Sequence, residues 1–138
     1  MKGLESLIKL HKFELDQKRR LLKELETVQA NIAGAIDALE VQIINEQKSA
    51  LSSEVGYAYG AFAGASIKRR ETLQQSLADS AREVEAARDV VTESFGELKK
   101  YEITKAGRDR AVEKEENRRE RIFMDELGIT IHSRKDQP

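Results

Sequence analysis

Apolar residues recur along the first third of the chain at alternating intervals of four and three positions. This series has twelve positions, nine of them apolar: Leu4, Ile8, His11, Leu15, Lys18, Leu22, Leu25, Gln29, Ile32, Ile36, Leu39 and Ile43. A mean spacing of about 3.5 residues is typical of a coiled-coil seam, which faces one partner helix along a left-handed supercoil. Four further residues widen the seam on one flank, namely Leu7, Leu21, Val28 and Ala35. The pattern predicts a first helix over about residues 3–48.

A polar, serine-rich segment, NEQKSALSSE, follows Ile43 and interrupts the pattern. Ser52 or Ser53 is placed to cap a new helix, so a turn is predicted at about residues 49–53. A second, weaker seam with more small and polar members then runs through Tyr59, Phe62, Ser66, Arg70, Leu73, Leu77, Ser80, Val84, Ala87, Val91, Ser94, Leu98 and Tyr101. It predicts a second helix over about residues 54–127, closed by Gly128 as a left-handed cap. The tail at 129–138 shows no pattern and is expected to be mobile.

A short turn between two such helices brings them together antiparallel. The predicted fold class is all-α: a long two-helix antiparallel coiled-coil hairpin over residues 1–128, a single domain, with the second helix extending past the first. A turn centred near residue 51 would place Ile43 level with about Tyr59, and Leu4 level with about Leu98.

The segment from Lys105 to Gly128 then has no partner helix within the chain. Its basic residues Arg110, Lys114, Arg118 and Arg121 fall on one stripe, and its acidic residues Asp109, Glu113, Glu116 and Glu120 fall on a neighbouring one. Glu115 and Arg119 are spaced as a favourable i,i+4 ion pair. Ile122, Phe123 and Leu127 add apolar area at the far end. Two interpretations remain open: a solvated single helix held by its own ion pairs, or a docking helix for a second protein.

Composition agrees with a long coiled coil. Charged residues make up 36% of the chain, 24 Lys and Arg against 25 Asp and Glu, while aromatic residues make up only 5%. So few large side chains do not suit a compact globular core, and the apolar periodicity argues against disorder. The absence of a basic excess argues against a general polyanion binder. The chain has no cysteine, and no signal peptide or membrane span is recognised, so a cytoplasmic location is expected.

Catalytic chemistry is not predicted. The two histidines, His11 and His132, have no nucleophile or second metal ligand in register. No glycine-rich loop follows a strand, and no P-loop lysine is present. His11 is best explained as a polar seam residue that fixes the register of the helices. Lys18 and Gln29 can have the same role. No enzyme activity, cofactor or metal site is therefore expected.

The stretch SSEVGYAYGAFAGAS stands out because it carries three glycines at four-residue spacing and three of the chain's seven aromatic residues. Gly56, Gly60 and Gly64 share one helix face, where they would let another backbone come close. Tyr59 and Phe62 can face the first helix. The stretch is either a flexible tip whose aromatic residues cover the end of the hairpin, or a contact surface for a partner.

The order of these parts resembles the FliJ-type flagellar type III export proteins, whose virulence-system relatives are the YscO-type stalks. The resemblance rests on the N-terminal LESLIKLHKFELDQKRRLLKELE helix, the polar turn, the segment beginning YGAFAGASIKRRETLQQ, and the closing RRERIFMDELG. It implies an antiparallel coiled-coil hairpin similar to the rotor stalk of rotary ATP synthases. The end with both termini would enter and activate a hexameric export ATPase, the tip would contact the cytoplasmic ring of the export gate, and the protein would escort export chaperones.

The resemblance also implies site residues. The export-gate-binding tip would be Ile43, Tyr59, Phe62 and Ser66, with Leu73 as a further candidate. The ATPase-binding end would be Lys12, Lys18, Arg19, Arg20, Arg108, Arg110, Arg118 and Arg119. Ser66 and Arg69 depart from the larger apolar or small residues expected there. The protein would be a monomer, peripheral to the inner membrane at the flagellar base and held there through its partners.

Other functions stay open at this point. A homodimeric coiled-coil scaffold would pair straight helices between chains, and an injectisome-type stalk would share the same hairpin. Nucleic-acid binding through the basic stripe is disfavoured by the acidic stripe beside it and by the net charge of −1. A small enzyme is least favoured, because no catalytic set is present.

Overall fold

The computed structural model describes residues 2–52 and 56–135, which form two α-helices. Helix α1 spans Lys2–Ser52 and helix α2 spans Gly56–Lys135. The described residues contain no β-strand. The two helices pack against each other in an antiparallel arrangement, so the predicted all-α hairpin is confirmed.

Both helices are longer than the sequence pattern predicts. Residues 49–52, placed in the turn, belong to α1. Residues 129–135, expected to be a patternless tail, are the last part of α2. The predicted cap at Gly128 is wrong, because no described glycine has a positive φ. No proline follows Gly128 before residue 138, and a glycine inside a helix costs only about 1 kcal/mol relative to alanine, so the helix continues.

The predicted seams form the helix–helix contact. Every seam position named above on either helix is buried or half-buried. Among the described residues, the buried apolar side chains are Ile8, Leu15, Leu39, Val84, Ala87 and Leu98. The predicted flank of α1 behaves differently, since Leu7, Leu21 and Val28 keep 40%, 52% and 48% of their surface exposed. In a hairpin α1 has a single partner helix. No other helix within the described residues covers this flank of α1.

The chain divides into two compact units, and the division falls inside both helices. The terminal unit contains Met1–Lys12 and Gly96–Pro138, and the central unit contains Phe13–Phe95. Both units contain a piece of α1 paired with a piece of α2. The assignment of residues 1–128 to a single domain stays a prediction.

In the central unit, α2 contributes mostly small side chains to the core. Ser66, Ser80 and Ser94 are buried, with 6%, 6% and 4% of their surface exposed, and they are spaced by two heptads. The larger buried side chains of α1 in this unit are Leu15 and Leu39. Small residues on one seam let the opposing helix approach closely, since little side-chain volume separates the two backbones.

An ion pair between Glu40 and Arg70 joins the two helices of the central unit. Glu40 Oε1 lies 2.9 Å from Arg70 Nε, and Arg70 Nη2 donates a hydrogen bond to Glu40 Oε2 at 3.3 Å. The Nε contact has the distance of an ion pair without the alignment of a hydrogen bond. The two side chains remain 45% and 34% exposed, so the pair sits at the edge of the seam.

In the terminal unit, Ile8 and Leu98 are buried, and the rings of His11 and Tyr101 stack at a centroid distance of 4.6 Å. The proposed seam position of His11 is therefore confirmed, with an aromatic partner across the pair.

The observed register differs from the predicted one. A turn at residue 51 would put Glu40 level with residue 62 and His11 level with residue 91. The observed partners, Arg70 and Tyr101, lie eight and ten residues further along α2. Because α1 continues through Ser52, the chain reverses later than predicted. Moving the centre of the reversal by one residue along the chain moves the α2 residue opposite a given α1 residue by two. A shift of the centre by four to five residues therefore accounts for the difference.

Candidate functional site

The paired part of the terminal unit ends where the first turn of α1 meets α2. Leu4 and Glu5 line one groove together with Lys105, Arg108, Asp109 and Val112. From residue 113 onward every described side chain of α2 is exposed, apart from the half-buried Glu115. We call residues 113–135 the overhang. A helix that extends beyond its partner is thus present, although it begins and ends later than the sequence pattern predicts.

Lys105 lies within the last paired part of α2, in the groove beside the start of α1. Its Nζ lies 2.8 Å from Asp109 Oδ2, within the groove that also contains Glu5. The hydrogen bond to Asp109, helped by the charges of Asp109 and Glu5, raises the pKa of the Lys105 ammonium. Sequence analysis missed this cluster, because the predicted register placed Leu98 rather than Lys105 near the start of α1.

Two arginines of the overhang share one carboxylate. Arg118 donates two hydrogen bonds to Glu115, from Nη2 to Oε1 at 2.7 Å and from Nε to Oε2 at 3.0 Å. Arg119 Nε donates a third to Glu115 Oε1 at 3.3 Å, which confirms the predicted i,i+4 pair. The hydrogen bond from Arg118 is the main reason that the pKa of Glu115 falls to about 2, with Arg119 adding to it. The same pairing raises the pKa of Arg118.

The basic stripe of the overhang is not purely basic. Arg110, Lys114, Arg118 and Arg121 line one shallow depression, as the sequence predicts, but Glu113 and Glu115 line it too. The surface is therefore a mixed one, on which cationic and anionic groups alternate over short distances. Such a surface is suited to a protein that carries charges of both signs.

The residues predicted for ATPase binding fall in both units. Lys12, Arg108, Arg110, Arg118 and Arg119 are exposed residues of the terminal unit. Lys12 lines a groove that also contains Glu102 and Lys105. The remaining three, Lys18, Arg19 and Arg20, belong to the central unit, where Lys18 is half-buried on the seam and the other two are exposed. The structure brings Arg118 and Arg119 together on Glu115.

The predicted tip residues all lie in the central unit. Tyr59 and Phe62 are half-buried, and their ring centroids lie 6.5 Å apart at a tilt of 37°. Ile43 is half-buried as well, whereas Ser66 is only 6% exposed and has little surface to offer a partner. The turn and the side chain of Tyr57 lie outside the described residues.

The glycines of this region leave open space. A Cβ atom added at Gly60 or Gly64 would meet no other atom within 4 Å. The close backbone approach that their spacing suggests is therefore not made by another part of the described chain.

Sequence analysis missed the part of the apolar surface of the overhang that lies beyond Gly128. Phe123 is 62% exposed and Leu127 is 42% exposed, as the docking interpretation requires. Met124, Ile129 and Ile131 are exposed too, at 57%, 70% and 47%. The predicted helix end at Gly128 leaves the two isoleucines in the patternless tail. The missed signal was helical spacing, since Ile131 follows Leu127 by four residues.

The described residues contain neither a metal-binding cluster nor a membrane-spanning helix. Within 2–52 and 56–135, no three His, Asp or Glu side chains are grouped so that they could hold a metal ion. Neither described helix has a stretch that is both long and apolar enough to cross a membrane.

Comparison with known proteins identifies the family. A family model described as "Flagellar FliJ protein" matches residues 1–137, almost the whole chain. The comparisons with curated proteins and with solved structures gave no match. The chain therefore belongs to the flagellar FliJ protein family, whose members are components of the flagellar export apparatus.

Proposed function

We propose that this protein is a non-enzymatic stalk of the flagellar export apparatus, and that its overhang docks on the hexameric export ATPase and promotes ATP hydrolysis. The observation that carries the proposal is the overhang itself. It is a continuous stretch of α2 that no other described part of the chain covers, and it exposes both a mixed charged surface and large apolar side chains.

The low stability of an isolated helix in water supports a docking role for the overhang. An isolated helix gains little from propensity alone and is usually stabilised by packing of an apolar face. The ion pairs of Glu115 with Arg118 and Arg119 are exposed, and such pairs contribute only a few tenths of a kcal/mol each. Phe123 and Leu127 instead offer apolar area whose burial against a protein is favourable in proportion to the area covered.

Charge balance favours a protein partner over a nucleic acid. Residues 113–135 contain six basic and six acidic side chains. A nucleic-acid-binding helix would neutralise phosphates with a basic excess. An alternating surface instead fixes orientation and register on a partner surface of matching pattern.

The proposal assigns the aromatic pair Tyr59 and Phe62, with Ile43, to the cytoplasmic ring of the export gate. The two aromatic rings are half-buried, so they can pack on α1 and still present an edge to a partner. Ser66 would act by letting the helices approach, because it is buried. The protein would also escort export chaperones and work at the cytoplasmic face of the inner membrane.

The experiment measures ATP hydrolysis by the export ATPase at a concentration at which its hexamer is only partly formed, with and without this protein. The full chain is expected to raise the rate. Arg119→Glu is expected to reduce the stimulation, because it removes a cation from the docking helix and places an anion beside Glu115.

Arg82→Glu is the matched control. Arg82 and Arg119 are both 76% exposed, and each forms an ion pair with a carboxylate of its own helix, Asp79 and Glu115 respectively. Only Arg119 lies on the overhang, so Arg82→Glu should stimulate as well as the wild type. Equal loss in both variants would attribute the effect to net charge. Full stimulation by a chain shortened to residues 1–112 would exclude the overhang as the docking element.

A further inference from the structure

The last turns of the overhang present an apolar stripe with a symmetric spacing. Phe123, Leu127 and Ile131 follow each other at intervals of four residues, so they lie on one face of the helix. They are 62%, 42% and 47% exposed. Glu120 lies three residues before this set and Arg134 lies three residues after it, and both are exposed. The intervals between these five residues are three, four, four and three, so the spacing is the same in both directions along the chain.

This symmetry makes the stripe complementary to itself in an antiparallel arrangement. A twofold axis at Leu127 would bring Phe123 of one copy against Ile131 of the other, and Leu127 against Leu127. The same operation would bring Glu120 of each copy against Arg134 of the other, so that two ion pairs would close the ends. A parallel pair would instead place Glu120 against Glu120 and Arg134 against Arg134, which is repulsive.

We propose that the overhang binds a second copy of this chain, antiparallel and centred on Leu127. The stripe from residue 120 to residue 134 is about 21 Å long at 1.5 Å per residue, and it involves one helix face from each copy. An interface of this size is at the small end of the range, so the dimer is weak and reversible. The pairing hides Phe123, Leu127 and Ile131 from water whenever no other partner covers them.

This dimer does not conflict with the hairpin, and it does not depend on the ATPase assignment. The seams of α1 and α2 satisfy each other within one chain, so the hairpin itself needs no second copy. The self-pairing uses only residues beyond the paired region. It can be tested with the purified full chain alone, so its failure would leave the proposed docking on the ATPase untouched.

Disulfide trapping tests the central contact. The chain contains no cysteine, so Leu127→Cys introduces a single thiol. Under mild oxidation this variant should form disulfide-linked dimers, because the proposed axis brings residue 127 of one copy to residue 127 of the other. Asp125→Cys is the control, since it lies about 200° around the helix from Leu127. The expected yield is several-fold higher for Leu127→Cys. Equal yields, or no dimer from either variant, would overturn the proposal.

Charge exchange tests the antiparallel direction. Sedimentation equilibrium of the wild type should show an average mass that rises with concentration from 15.6 kDa toward twice that value. Glu120→Arg or Arg134→Glu alone should weaken the association about tenfold, because each variant disrupts both copies of the ion pair. The double variant, Glu120→Arg with Arg134→Glu, should restore it. A double variant as weak as the two single ones would exclude the antiparallel pairing.

Discussion

Replacement of Leu15 by alanine tests the seam, and Leu21→Ala provides its matched control. Both leucines lie on α1 in the central unit, and both substitutions remove the same atoms. They differ in burial, since Leu15 is 3% exposed and Leu21 is 52% exposed. The expected difference in the free energy of unfolding therefore comes from the position of the side chain and not from its chemistry.

The magnitudes follow from that burial. A buried Leu→Ala substitution costs about 2–5 kcal/mol, depending on how far the surroundings close the cavity. A two-helix core can close more easily than a globular one, so we expect about 2–3 kcal/mol for Leu15→Ala. About half of the Leu21 surface already faces water, so its loss should cost about 0.5–1 kcal/mol.

Thermal unfolding followed by far-ultraviolet circular dichroism measures the difference. A chain of this size loses about 3–5 °C in Tm for each kcal/mol. Leu15→Ala should lower Tm by about 6–15 °C and Leu21→Ala by about 2–5 °C. Equal losses would refute the reasoning, because they would mean that the flank carrying Leu21 contributes to the folded state as much as the seam does.

Three further outcomes are expected. Phe62→Ala should leave the helix content unchanged and weaken binding to the export-gate ring about tenfold or more, and loss of folding in that variant would make Phe62 a core residue instead. The stabilisation of the overhang by the Glu115 carboxylate should be complete above pH 4.5, the ordinary pKa of the group, and should disappear as the pH falls through about 2. An NMR titration checks this, because Arg118→Gln should return the Glu115 pKa toward 4.5, and an unchanged pKa would contradict the role of that arginine. A double-mutant cycle on Glu40 and Arg70 should give a coupling of about 0.5–1 kcal/mol, since both side chains are partly exposed, and zero coupling would remove this pair as a determinant of register.

Periodicity predicts the helix–helix contact well, because the spacing of residues along a helix decides which of them face a single partner helix. His11, Lys18 and Gln29 are polar, yet each lies on the seam and each is half-buried, as the spacing requires. The same argument predicted the ion pair of Glu115 with Arg119, since an i,i+4 spacing is a property of one helix and needs no knowledge of its surroundings.

Periodicity does not predict the register between the two helices or the residues at which each helix ends. A seam with a constant repeat fits its partner equally well after a shift of one heptad, so only the position of the turn and particular cross-pairs choose among the alternatives. The serine-rich segment suggested a turn at 49–53, but serine is tolerated in helices and α1 continues to Ser52. Gly128 was likewise only a permissive residue, not a stop signal.

Exposure of the α1 flank depends on the number of partners. Leu7, Leu21 and Val28 lie at heptad positions on one flank of α1, interrupted by Glu14, and a second partner helix would bury them. With a single partner helix they remain about half in water. A pattern along one helix records which faces are apolar, and it does not record how many faces find a partner.

The stack of His11 on Tyr101 fixes the register of α1 and α2 in the terminal unit, and with it the length of α2 that extends past α1. A slip of one heptad between α1 and α2 in the terminal unit would move α2 by seven residues, or about 10 Å, and could replace Tyr101 opposite His11 by the cation of Arg108. The length of α2 that extends past α1 is thus set by an aromatic contact near the start of α1. A substitution of Tyr101 is therefore expected to change how far the overhang extends beyond α1 while leaving every residue of the overhang in place.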